Sequence, residues 1–173
     1  MSVVVRAALE ADLDALISLN QVVQSLHAAL YPRDFKPTID RSAVKALFAA
    51  RLAAPESGIA IAEVNRTAVG YVWFEVQARQ ETAFNPFRAR IYVHNISVAP
   101  DARRRGVATA LMRYVQRRAA SEGIDEIALD TWVANLDARR FFEALGFAEF
   151  NVVLRKKLDR PRSNAAVPPP LHE

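Results

Sequence analysis

The chain has 173 residues, 51% of them hydrophobic, 24% charged and 9% aromatic, and carries a formal net charge of +4. This is enough apolar material for one sizeable core in a single domain, residues 1–158, and the composition suits neither a disordered nor a fibrous chain. Cysteine is absent, which excludes disulfides, thiolate catalysis and cysteine-ligated metal, while His27, His94 and His172 lie too far apart to form a local metal pair, so no metal is expected.

Residues 3–7 form a β-branched run and read as a first strand. Leu9, Leu13, Leu16, Ile17, Leu19, Val23 and Leu26 then recur at helical spacing, and the pattern ends by Tyr31-Pro32. A second helix is expected over residues 40–53 through Val44, Leu47, Phe48 and Leu52, stopped by Ala54-Pro55 and Gly58. Residues 59–64 and 68–76, split by Asn65-Arg66-Thr67, read as a hairpin, and residues 79–90, with Asn85-Pro86, as a loop. A strand over residues 91–98 stops at Ala99-Pro100-Asp101, and an amphipathic helix follows over residues 106–122 with its arginines outside. Residues 127–133 read as a strand and 135–145 as a shorter helix with Gly146 as its stop; residues 148–157 read as a last strand.

The order βααβββαβαβ predicts an α/β (α+β) fold with a mixed, mostly antiparallel central sheet flanked by helices. From Asp159 onward the proline-rich composition predicts a disordered or extended tail, residues 159–173. No basic flank followed by a long apolar stretch opens the chain, and no window of about 18 apolar residues occurs in it. A cytoplasmic protein without membrane contact is therefore expected.

Six basic residues and one acid fall within residues 101–120, so the basicity belongs to one element rather than to the whole surface. A strand ends at Val98, a proline turn follows, and Gly106 precedes a helix. The N–H groups of the first helical turn, the macrodipole and three arginines make an anion site there that a diphosphate fits. Read blandly, the same arginines are a solvated patch and Gly106 only a turn. The loop is not a Walker loop and lacks the spacing of dinucleotide folds.

Residues 98–112, VAPDARRRGVATALM, resemble the Arg/Gln-x-x-Gly-x-Gly/Ala signature of the GNAT superfamily of N-acetyltransferases. Residues 135–147, NLDARRFFEALGF, resemble that superfamily's second signature, Asn-x-x-Ala-x-x-Phe-Tyr-x-x-x-Gly-Phe. The resemblance covers roughly residues 3–157 and is strongest over 91–150. It implies an acyl-CoA-dependent acetyltransferase passing an acetyl group from acetyl-CoA, as co-substrate, to a primary amine on a small molecule or peptide, by direct attack in a ternary complex.

The resemblance also implies residue roles. Arg103, Arg104, Arg105, Gly106, Val107, Ala108 and Thr109 would hold the pyrophosphate. Backbone groups of Val98 would pair with the pantetheine arm as with an added strand. The Ile96 amide would face the thioester carbonyl as an oxyanion donor. Asn135 would bond the arm, and it also suits a helix N-cap. In relatives, exposed final strands pair as dimers, so a homodimer is a further implication.

Two positions depart from the family. Phe142 stands where a tyrosine usually protonates the departing thiolate, and Tyr92 where many relatives carry a glutamate base. His94, two residues on and on the same strand face, suits a general base at neutral pH, or else His94 and Tyr92 shape the acceptor pocket. Glu75 is a third candidate base, or a solvated strand-end carboxylate. His27 is a candidate for substrate contact and Tyr31 for helix-end packing; Trp73, Phe74 and Trp132 read as core or pocket wall, and residues 77–90 as a loop that sets acceptor selectivity. Two other functions are weighed: a non-catalytic acyl-CoA sensor or regulatory module, suggested by Phe142, and a nucleic-acid patch on the arginine-rich helix. The latter is disfavoured because the three best-placed arginines, Arg103, Arg104 and Arg105, are already claimed by the phosphate loop.

Overall fold

The structure, a computed structural model, describes residues 2–158. The expected tail, residues 159–173, lies outside them. Residues up to Leu136 form one compact unit and those from Asp137 a second.

The first unit opens with β1, Val4–Ala7, and a short 3-10 turn, Glu10–Asp12, that leads into α1, Leu13–Leu30. Helix α2, Arg41–Ala53, begins where the Asp40 carboxylate accepts the N–H groups of Ser42 at 2.9 Å and Ala43 at 3.1 Å, satisfying two of its orphan donors. Strands β2, Ser57–Val64, and β3, Thr67–Arg79, are joined by Asn65 and Arg66, both left-handed at φ 49° and 64°, as a two-residue hairpin turn demands. Then come β4, Arg88–Val98, a second 3-10 turn, Pro100–Ala102, α3, Val107–Ser121, and β5, Ile127–Leu129.

The sheet order is β1-β2-β3-β4-β5, antiparallel except for the parallel pair β4 and β5. This is the mixed, mostly antiparallel sheet expected. Its arm of β3 and β4 is longer than the sequence pattern indicates. Of the loop expected over residues 79–90, positions 80–87 carry no strand, while its ends join the ladder: Arg79 pairs with Arg88, Ala89 with Ala78 and Arg90 with Gln77. Polar residues on a two-stranded ribbon leave no apolar alternation to read.

Alternation along the strands divides the core into two faces. On one, Ile59, Ile61 and Tyr71 pack with Leu16, Ile17, Leu19 and Phe48 of α1 and α2. Phe48 meets Tyr71 edge-on at 5.6 Å, and deleting either buried ring costs about 3–5 kcal/mol. On the other, Val72 and Phe74 face α3, whose Val107, Leu111, Met112, Val115 and Ala119 are buried. Gly70 sets how closely α3 approaches. A Cβ built there lies 2.9 Å from the Ser97 carbonyl oxygen and 3.1 Å from Val107 Cγ1.

Helix α4, Leu136–Ala144, leads into the second unit and ends on Gly146 at φ 88°, with Phe147 N–H donating to the Phe142 carbonyl at 3.1 Å. The last strand expected over residues 148–157 does not form. Val153 and Leu154 are 88% and 89% exposed and the stretch carries no strand pairing. β-branched residues report fitness for a half-buried pleated surface, and a strand still needs a partner.

Candidate active site

Strand β4 registers with neighbours on both edges over only three of its residues. Ile91, Tyr92 and Val93 register with Ile127, Ala128 and Leu129, and β5 then stops while β4 runs on to Val98. The Ala99 N–H donates to Val69 in β3 at 2.8 Å, so alternation turns the N–H and C=O of Val98 and Ile96 to the opposite edge, the one β5 no longer covers. The parity depends on a bulge. Trp73 pairs with Asn95 and Phe74 with Val93, leaving His94 as the extra residue. The two backbone donors expected at Ile96 and Val98 therefore sit side by side on an open strand edge.

The next residues are those from which a pyrophosphate cradle is expected, and they form the turn into α3. The sign of φ alternates from Arg103, at −65°, through Arg104, at 57°, to Gly106, at 80° and N-cap of α3, with Arg105 absent from the left-handed residues. The first bond of α3 is Ala110 N–H to the Gly106 carbonyl at 2.9 Å, so the N–H groups of Val107, Ala108 and Thr109 lie ahead of it at the positive end of the helix dipole. No atom comes within 4 Å of a Cβ built on Gly106; its left-handed φ, not crowding, is what requires glycine. The Arg103 Nε reaches back to the Val98 carbonyl at 3.3 Å, tying the cradle to the open edge.

On the α1/α2 side of the sheet, His94 Nε2 lies 2.8 Å from Glu75 Oε2, and Glu75 Oε1 accepts from the Arg51 guanidinium at 3.0 Å. The His94 ring stacks on Trp73 at 4.4 Å and meets Tyr92 edge-on at 5.0 Å. Arg51 covers Trp73 at 5.1 Å, and the Trp73 indole donates to Ser57 Oγ at 3.1 Å. Glu75 is thus no solvated strand end, its side chain being 15% exposed between Arg51 and His94. Tyr92 donates to the Asp130 carboxylate; burial, then that carboxylate, push its phenol up to about 12, so at neutral pH it is a donor and not a base.

Arg51 and Asp130 escaped the sequence reading. Arg51 looks like any arginine in the last turn of an amphipathic helix, and Asp130 like a strand-end acid. The bulge at His94 has no residue signature either.

His27 and Tyr31 gather around Trp132 with Phe35. Ring centroids are 4.6 Å apart for Tyr31 and Trp132, 5.1 Å for Phe35 and Trp132, and 4.8 Å for His27 and Phe35. Burial holds the His27 imidazole below its ordinary pKa. The Ala134 N–H donates to the Tyr31 hydroxyl at 3.0 Å, and Asn135 N–H to the Trp132 carbonyl at 2.8 Å. Tyr31 thus sits at the C-terminal end of α1, as expected, and it also contacts the turn at Trp132 and Ala134 that precedes Asn135. In the second unit, Phe142 lies among Phe141 at 5.1 Å and Phe147 at 5.5 Å.

A concavity of about 590 Å3, lined among others by Pro86, Phe87, Gly123 and Asp125, opens at the other end of β4 and includes none of these groups. Among the described residues, no three or more His, Asp or Glu side chains gather as metal ligands, and no helix is long and apolar enough to cross a membrane.

Several known proteins are similar to this chain. An aminoglycoside N(6')-acetyltransferase type 1 of Serratia marcescens is 47% identical over 58 residues, 34% of this chain and 40% of that protein. A mycothiol acetyltransferase of Thermobispora bispora is 34% identical over 96 residues, 56% of this chain and 32% of that protein. The chain thus spans less than half the length of these curated relatives. Among solved structures, a tetramutant of the BH1408 protein from Bacillus halodurans superimposes with a TM-score of 0.83 at 19% identity, over 90% of this chain and 99% of that one. The aminoglycoside N-acetyltransferase AAC(6')-Iy in complex with CoA does so with a TM-score of 0.71 at 24% identity, over 91% and 95%. These likenesses show a shared fold. The model of the acetyltransferase (GNAT) family matches residues 20–147, three quarters of the chain, and the chain belongs to that family.

Proposed function

We propose that the protein is an N-acetyltransferase that passes an acetyl group from acetyl-CoA to a primary amine on a small molecule by direct attack in a ternary complex. One observation carries this reading: the open edge of β4 at Ile96 and Val98 runs directly into the anion cradle of residues 103–109. The edge offers strand-like hydrogen bonds to an amide-bearing arm, and the cradle offers backbone and guanidinium donors to a pyrophosphate. The residues present therefore fit the two halves of coenzyme A.

Acetyl-CoA, when bound, supplies an activated acyl group on a good leaving thiolate, whose thiol has a pKa near 8.5. Val98 and Asn135 hold the arm, and the N–H groups of residues 104–109, with Arg103, Arg104 and Arg105, hold the pyrophosphate. The Ile96 N–H donates to the oxygen on which negative charge grows. His94 takes the amine's proton as the nitrogen–carbon bond forms and the carbon–sulfur bond breaks. With Nε2 engaged by Glu75, Nδ1 is the nitrogen that accepts it, and Arg51 holds Glu75 in place. Tyr92 stays protonated, bonds Asp130 and shapes the acceptor side. Phe142 offers no proton, so the thiolate departs to solvent without a dedicated acid. The amine acceptors in the names of the relatives support a small-molecule amine as acceptor.

Phe142 also favours a second reading, a non-catalytic acyl-CoA sensor. Calorimetry with acetyl-CoA, followed by thiol release over an amine panel, tests both. An enzyme binds and releases thiol only with an acceptor, a sensor binds and releases none, and no binding at all ends both readings.

A further inference from the structure

Two strands that begin as neighbours must be held apart if a slot is to open between them. β4 and β5 pair over three positions and then separate, and the question is what keeps the chain after β5 from closing onto Ile96 and Val98. Helix α1 is fastened to both sides of the gap. At its middle, the Leu19 carbonyl accepts from the buried Ser97 hydroxyl at 2.7 Å. Asn20 Nδ2 donates to the Tyr71 hydroxyl at 2.9 Å, which itself donates to Asn95 Oδ1 at 2.8 Å. Asn95 and Ser97 alternate with Ile96 and Val98, so these bonds grip the very stretch whose other edge is open.

At its C-terminus α1 grips the other wall. Tyr31 caps the helix, its N–H donating to the His27 carbonyl at 2.7 Å. Its ring lies against Trp132 and its hydroxyl receives the Ala134 N–H at 3.0 Å, while Phe35 meets Trp132 edge-on. Between Asn20 and Tyr31 the helix rises about 16 Å, a rigid length set by backbone geometry.

We infer that α1 is the spacer that sets the width of the slot between β4 and the segment after β5, and that Tyr31 and Trp132 are positioning residues for the pantetheine arm of an acyl-CoA. The inference rests on the coenzyme reading above. It concerns the arm alone, because the phosphate cradle lies on the far side of Val98 and is built by α3.

The test compares two ligands on the full chain by calorimetry: acetyl-CoA, and 3'-phospho-ADP, which carries the phosphates without the arm. For Trp132→Leu the dissociation constant of acetyl-CoA rises about tenfold, and for Tyr31→Phe about threefold, as expected for losing a ring contact or one hydrogen bond. In both variants that of 3'-phospho-ADP stays within about twofold of wild type. Tyr31→Phe keeps the ring, so it guards against a Trp132 variant that does not fold. The inference is overturned if acetyl-CoA affinity is unchanged in Tyr31→Phe and in a folded Trp132→Leu, or if both ligands weaken together. If the wild type binds 3'-phospho-ADP but gains nothing from the arm, the spacer is wrong and the cradle stands. If it binds neither, the coenzyme reading fails and the inference with it.

Discussion

His94 and Glu75 face each other across the β3–β4 ladder, with 2.8 Å between Nε2 and Oε2, because the bulge in β4 falls at His94 and places it against Trp73 on the face where Glu75 projects. A carboxylate that fixes one imidazole nitrogen leaves the other to accept a proton. His94→Ala is therefore expected to lower kcat by about 100-fold or more while acetyl-CoA affinity stays within about twofold. Glu75→Gln, which keeps the shape and removes the charge, is expected to lower kcat by about tenfold. Single-turnover acetylation beside calorimetry separates the two quantities.

Tyr92 provides the contrast. Its phenol, pushed up to about 12, remains protonated throughout the working range, so Tyr92→Phe removes a bond to Asp130 and no base. Expected is a loss of less than about tenfold in kcat, with the pH dependence of the rate unmoved between pH 6 and about 9. A rate profile that shifts in Tyr92→Phe and not in His94→Gln assigns the base to Tyr92 instead.

Gly106 and Gly70 serve the cradle in different ways. At Gly106 the requirement is conformational, so Gly106→Ala costs about 1 kcal/mol of stability and little binding. Gly106→Glu adds a carboxylate among the anion donors and weakens acetyl-CoA by roughly 30-fold, the factor for about 2 kcal/mol.

At Gly70 the requirement is space. Gly70→Ala drives a methyl against the Ser97 carbonyl and Val107, displaces the first turn of α3, and costs about 1–3 kcal/mol as well as affinity. Denaturant unfolding with calorimetry on each variant checks both.

Away from the site, Arg6 clamps Asp12, at 2.7 and 2.8 Å, and Glu63, at 2.5 Å, joining β1, the first 3-10 turn and β2. The bonds from Arg6 hold the Asp12 carboxyl below its ordinary pKa. Their contribution to stability is fully present above the unfolded carboxyl value near 4 and is lost as pH falls through the lower folded value. With the Arg6 side chain 37% exposed, solvent screening limits the effect of Asp12→Asn to about 1 kcal/mol at pH 7. Thermal melts of wild type and variant should differ by several degrees at pH 7 and draw together as pH falls below the unfolded carboxyl value.

The sheet and its flanking helices were legible in residue pattern, because the central strands, covered on both faces, are written as apolar β-branched and aromatic runs, and α1 to α3 as a 3.6-residue repeat. The turn from β4 into α3 was legible for a local reason: strand, proline turn, arginines and glycine are contiguous. What escaped were relations between distant residues. Arg51 meets Glu75 across 24 positions and Tyr31 meets Ala134 across 103, and no spacing rule links such pairs. The final strand failed for the opposite reason, since residues 148–157 carry the local pattern but not the neighbour that turns it into a strand.

In the proposed reaction an acetyl group is transferred at the edge of β4 with His94 as the base. Thiol release from acetyl-CoA, followed over a panel of small-molecule amines with wild type and His94→Ala side by side, tests it most directly. The expected result is amine-dependent release by the wild type that falls by about 100-fold in His94→Ala while both proteins bind acetyl-CoA alike. Binding without release for any amine, or equal release by the two proteins, contradicts it.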